Sequence, residues 1–175
     1  MIEVGQEAPN FDLTSTEDVV LQLRDEVPRT AVLLYFTADP AAPPAQRDLA
    51  ALAARHAALC ELRAKVLVVS PVPLAALKQA QREQKLPFPL LHDDRDFAAA
   101  YGVVAPAAVE GQPAIPTAPG LFAVGRDQKL FYIAHPAGDV AAVLPTIEAM
   151  LRAQGRPTAR YPKGIVNRWI DRWVN

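Results

Sequence analysis

Two short, nearly uninterrupted apolar runs constrain this chain most: TAVLLYF at residues 30–36 and KVLVVS at residues 65–70. Both are rich in valine and leucine, the first also in aromatics, and both are too short for helices. A strand that is apolar on both alternating faces is one covered on both sides, as in the middle of a layered α/β sheet. Between the runs, Leu49, Leu52, Ala53, His56, Leu59 and Cys60 recur at helical spacing, which predicts a helix from about residue 44 to residue 62. Strand, helix and strand in that order make a parallel crossover.

The rest of the chain extends this unit. LAALKQAQREQ (74–84) reads as a helix with a polar face, and PFPLL (87–91) as a short extended segment. DRDFAAAYG (94–102) reads as a short helix with an aspartate cap and a terminal glycine. GLFAVG (120–125) and KLFYIAH (129–135) flank the turn residues RDQ as a hairpin. A helix over 139–154 follows, with Pro145 expected to start or kink a turn. Two crossovers followed by a hairpin predict a thioredoxin-like α/β/α sandwich with a central mixed sheet.

Composition narrows the function classes. The net charge of −1 gives no field for nucleic acid or an anionic membrane. No stretch approaches the roughly 20 apolar residues of a membrane span, and the acidic opening MIEVGQEAPNF lacks the apolar core of a secretory signal. Cytoplasmic residence is the expectation. The single cysteine, Cys60, excludes an intramolecular disulfide and a Cys-x-x-Cys pair. The seventeen prolines fall between apolar runs as turn punctuation rather than as a linker.

VGQEAPNFDL, VLLYF, VLVVS, FPLLHD, AAAYGV and LFAVGRDQKL stand in the order and spacing of the peroxiredoxins of the alkyl hydroperoxide reductase/thiol-specific antioxidant family, which the chain resembles over roughly residues 3–153. That resemblance implies an active-site pattern Pro-x-x-x-Thr-x-x-Cys beginning two residues after the aromatic that ends the first core strand. Counted from Phe36, its positions fall on Ala38, Ala42 and Ala45, and the family's arginine falls on Pro119. APPAQRDLAAL (42–52) also resembles the C-P-P-C turn of thioredoxin-like disulfide oxidoreductases, with Ala42 and Ala45 in place of both cysteines. That second likeness implies a cis bond before Pro119 and a shallow apolar depression between the alanines and the Pro119 loop. A methyl group cannot attack an O–O bond, so Ala38, Ala42, Ala45 and Pro119 are a vestigial redox site, with no catalytic residue and no cofactor expected.

Cys60 is the remaining nucleophile, with His56 one helical turn before it. Two readings stay open: a core cysteine beside a hydrogen-bonded histidine, which is favoured, and an antioxidant thiol oxidoreductase or peroxidase acting through Cys60. Exposure of the thiol discriminates between them. His56, His92 and His135 are scattered, so no metal site is indicated. The acidic run HDDRD (92–96) reads as a turn and helix cap rather than a cation site.

Beyond a domain over residues 1–155, the segment 156–175 reads as a C-terminal amphipathic helical arm. Ile165, Val166, Trp169, Ile170, Trp173 and Val174 share one apolar face, and Arg168, Asp171 and Arg172 lie opposite. A helix this short needs that face covered. Trp169, Ile170 and Trp173 are therefore candidate interaction residues, with packing on the body or in a homodimer favoured over a partner groove or a membrane surface. The expected function is a non-catalytic, peroxiredoxin-like binding or interaction module with a protein partner or a second copy.

Overall fold

The computed structural model describes residues 2–94, 97–104, 116 and 118–154. The apolar run at residues 30–36 forms β3 (Ala31–Phe36), whose six residues are all buried. The next run forms β4 (Ala64–Ser70), and α2 (Pro43–Glu61) crosses between them. β3 pairs in parallel with β4, with Leu34 opposite Leu67, and antiparallel with β6 (Gly120–Val124), with Leu34 opposite Phe122. Both edges of β3 are thus hydrogen-bonded and both faces covered, as a strand apolar on every residue requires.

β4 pairs in parallel with β5 (Leu90–His92), and β6 continues through the hairpin into β7 (Leu130–Ala134). Two N-terminal strands, β1 (Asp12–Ser15) and β2 (Val20–Gln22), complete a seven-stranded sheet in the order β2-β1-β5-β4-β3-β6-β7. These two strands, and the single-turn helix α1 (Leu23–Glu26), were not among the elements expected from the sequence. Three and four residues carry too little periodicity to stand out, although Leu13 and Ser15 are buried and alternate with half-buried Asp12 and Thr14.

Helices cover both faces. On one, Leu33 and Tyr35 pack with Leu49, Leu52 and Leu59 of α2, Leu77 of α3 (Leu74–Gln84) and Ile147 of α5 (Val140–Gln154). On the other, Val32, Leu34 and Phe36 pack with Leu23 of α1, Ala98 of α4 (Phe97–Ala100) and Tyr101. Burying each large apolar side chain contributes about 1.5–3 kcal/mol. The cap of α4 is Asp93, whose carboxylate accepts from the Phe97 and Ala98 amides at 3.0 and 2.9 Å. Helix α5 runs through Pro145, which lies inside it. Among the described residues no helix is long and apolar enough to cross a membrane. The arm 156–175, with Trp169, Ile170 and Trp173, lies outside the described residues.

Candidate functional site at the start of the long helix

Helix α2 begins at the C-terminal end of β3, where a parallel crossover delivers a helix N-terminus to the edge of the sheet. Asp39 builds the turn: its carboxylate accepts from the Ala41 amide at 2.8 Å, and its carbonyl accepts from the Ala42 amide at 3.2 Å. Ala42 is the N-cap and offers no side-chain acceptor, and Pro43 and Pro44 follow it. A helix start normally presents four free amides. Here one is bonded to Asp39 and two are prolines, so among the described residues only the Ala45 amide is left unbonded. The helix start is therefore poor at stabilising a thiolate or any other anion.

The residues expected to form a vestigial site take separate positions. Ala45 is buried against the sheet at 2% exposure. Ala38 is half-buried, its carbonyl accepting from the Ser70 hydroxyl at 3.3 Å. Pro119 stands at the same end of the sheet, since Gly120 pairs with Phe36. The Ala118–Pro119 bond is trans, contrary to expectation; the cis bond among the described residues is His135–Pro136. An X–Pro bond keeps a small trans preference. The likeness to disulfide oxidoreductases therefore fails at Pro119.

The expected shallow apolar depression is also replaced. A cavity of about 560 Å³ opens beside the helix start, lined by Pro44, Arg47, Asp48 and Ala51 of α2, by Pro119, by residues 136–139 and by Ala141. Ala42 and Ala45 are not part of its wall. The outward side of the first α2 turns carries charge, and that side meets the start of α5.

Asp48 is half-buried in this wall, and its Oδ2 accepts from the Tyr35 hydroxyl at 2.7 Å. Burial raises its carboxyl above the ordinary range, against the lowering effects of the Tyr35 hydrogen bond and of Arg47, and Asp139 raises it further. Burial and the Asp48 carboxylate likewise push the Tyr35 phenol far up. Asp139 begins α5, its carboxylate accepting from the Ala142 amide at 3.3 Å. Arg47 is exposed and has no ion-pair partner among the described residues. Tyr35, Arg47, Asp48 and Asp139 were not among the expected site residues. The one available signal was Tyr35: a tyrosine in a strand buried on both faces needs a partner for its hydroxyl.

Cys60 also differs from the favoured expectation. It is exposed, at the far end of α2 from the cavity, with its Sγ 3.5 Å from His56 Nε2. Leu49, Leu52 and Leu59 hold the buried line of the helix, and the 100° step from Leu59 carries Cys60 off it. His56 is half-buried and packs edge-on against Phe88, their ring centroids 5.9 Å apart.

Residues 4–133 match the model of the AhpC/TSA family. None of the curated proteins is significantly similar in sequence. Among solved structures, the chain is similar to peroxidoxin BcpB from Mycobacterium tuberculosis, at 19% identity over 87% of this chain and 98% of that one, with a TM-score of 0.78. It is also similar to a cysteine-to-serine mutant of PrxQ from Xylella fastidiosa, at 18% identity over 88% and 98%, with a TM-score of 0.74. A mutant of peroxiredoxin 6 from Arenicola marina matches at 20% identity over 94% of this chain and 81% of that one, with a TM-score of 0.73. These likenesses carry the fold, a peroxiredoxin-type thioredoxin sandwich, and the match over residues 4–133 places the chain in the AhpC/TSA family.

Proposed function

We propose that this protein has lost the redox site of its family and works as a non-catalytic binding or interaction module. The observation that carries this reading is the start of α2: Ala42 caps it, Ala45 is buried behind it, two prolines remove its amides, and the chain's one cysteine stands at the other end of the helix. Peroxide reduction needs a thiolate held beside a positive potential, and the matching positions supply neither. The binding face is the one at the start of α2, the arm 156–175, or both. In this reading the protein acts in the cytoplasm, with a protein partner or as a homodimer, and does not bind nucleic acid. The test is consumption of hydrogen peroxide and an alkyl hydroperoxide with a thiol reductant, run beside a pull-down with and without residues 156–175. Background consumption and a captured partner are expected; turnover that disappears in Cys60→Ala overturns the reading.

A second reading has its own observation. Cys60 is exposed and within 3.5 Å of an imidazole nitrogen, the pairing that activates a thiol nucleophile. A thiol oxidoreductase using Cys60 would work from the C-terminal end of α2, and the same assay decides for or against it.

A further inference from the structure

The cavity beside the start of α2 has a definite chemical character. Its volume of about 560 Å³ falls within the roughly 300–1,000 Å³ of small-molecule sites. Three prolines, Pro44, Pro119 and Pro136, supply rigid apolar walls with no amide donors. The charged groups on its lining are two carboxylates, Asp48 and Asp139, and one guanidinium, Arg47. Asp48 stands deeper than the other two, which are exposed. Its Oδ2 is engaged by Tyr35, and its Oδ1 makes no hydrogen bond within the described residues.

We propose that this cavity binds an organic cation, a primary ammonium or guanidinium on a short apolar stem, with Asp48 and Asp139 as counter-charges and the three prolines around the stem. The inference rests on the reading that this face is a binding face, and it names the ligand class. A cation there satisfies the free Asp48 oxygen with a charge-assisted hydrogen bond. It also relieves the repulsion between the two carboxylates and offsets the desolvation of Asp48. An anion finds less: Arg47 is the one cation on the lining among the described residues, the α2 start has lost donors to Pro43, Pro44 and Asp39, and a bound anion would face both carboxylates. The same chemistry comes from a free alkylamine or from a lysine or arginine side chain of a peptide.

The experiment titrates the full chain with n-butylammonium, n-butylguanidinium, blocked lysine and arginine amides, butyrate and 1-butanol. Amide chemical shifts at residues 47–51 and 137–141 and the heat of binding are followed. Both cations are expected to shift these amides and to bind at least about tenfold more tightly than butyrate or butanol, a difference of about 1.4 kcal/mol. Tighter binding of the blocked amides identifies a peptide side chain as the source, and tighter binding of the alkyl cations a free amine. Affinity should fall at least about tenfold in Asp48→Asn and less in Asp139→Asn. It should also weaken as pH falls and Asp48 takes up a proton beside Tyr35, Arg47 and Asp139. Ala141→Phe, on the exposed start of α5, should block the cavity without changing its charge and tests the site if Asp48→Asn fails to fold. Butyrate or butanol binding as tightly as the cations overturns the cation assignment and leaves the binding face standing. No shift with any probe overturns both.

Discussion

Arg55 and Glu148, 93 residues apart in sequence, lie fork to fork between α2 and α5: Arg55 Nε donates to Glu148 Oε1 at 2.7 Å while Nη2 donates to Oε2. The Glu148 side chain is 2% exposed and the Arg55 side chain 47%. Arg152, one turn along α5, adds a contact at 3.5 Å. The two helices that flank the cavity are thus pinned by a buried carboxylate reached from solvent by a guanidinium. The Arg55 hydrogen bonds, opposed by burial and reinforced by the charges of Arg55 and Arg152, hold Glu148 below its ordinary range. Removing the guanidinium leaves a buried carboxylate with less compensation, so Arg55→Ala should cost more than Glu148→Gln. Glu148→Gln should lower the melting midpoint at pH 7 by roughly 2–6 °C, because the partner's exposure screens the pair. Thermal melts of both variants check the order; equal melts with the parent would show that the pair contributes nothing.

Two carboxylates of α2 and α5 should respond to pH with opposite signs. Glu148 has a lowered folded pKa, so its contribution is full above the ordinary glutamate value and is lost as pH falls through the lowered one. Asp48 has a raised folded pKa, chiefly from burial, so the folded state holds its proton longer than the unfolded chain. Stability from Asp48 is present below the ordinary aspartate value and declines as pH rises toward the raised one. Asp48→Asn should therefore gain on the parent as pH rises through that window, and Glu148→Gln should gain on it as pH falls. Urea midpoints between pH 3 and 7 read both; slopes of the same sign for the two variants would refute the assignment. Tyr35→Phe should move Asp48 further up, since it removes the hydrogen bond that lowers it.

The continuous burial along β3 and β4 and the buried stripe of α2 explain why the central layer was legible from sequence: uninterrupted apolar runs and a helical stripe need no partner to be recognised. β5, the hairpin and α5 followed from the same patterns within a few residues. The cavity was not legible, because its wall is assembled from the exposed side of α2, a residue before β6 and the start of α5, which only the closed sheet brings together. Cys60 misled because His56 and Cys60 lie four residues apart beside a genuine apolar stripe, and a single 100° step separates Leu59 from solvent. The alanines at 42 and 45 could be read from the sequence; that two prolines and the hydrogen bonds of Asp39 leave the helix start few free amides needed the structure.

Gly120 holds Pro119 against the cavity and has no room for a side chain. A Cβ there would lie 2.8 Å from Val103 Cγ1 and 2.9 Å from Phe122 Cε2. Phe122 packs with Phe36 and Tyr101, ring centroids 5.5 and 5.2 Å apart, so the clash falls on the aromatic cluster of the second core. Gly120→Ala should destabilise by about 1–3 kcal/mol through overpacking. It should also disturb amides on both sides of the sheet, at residues 101–103 and 136–138. A variant as stable as the parent would mean that the cluster yields more easily than its packing indicates.

Cys60 supplies the last test, because its environment separates the two functional readings without knowledge of a substrate. An exposed thiol on α2 should react with a bulky aromatic disulfide in the folded protein, one equivalent per chain and without denaturant, whereas a core cysteine would wait for unfolding. Cys60→Ser should leave stability within about 0.5 kcal/mol, as for other surface positions. If His56 activates the thiol, His56→Ala should slow the modification; if the 3.5 Å approach is only packing, the rate should track accessibility and change little. A fast, histidine-dependent reaction together with peroxide turnover would move the chemistry of this protein to the far end of the helix from the alanines. A histidine-independent reaction without turnover leaves Cys60 a surface thiol and the start of α2 a binding face.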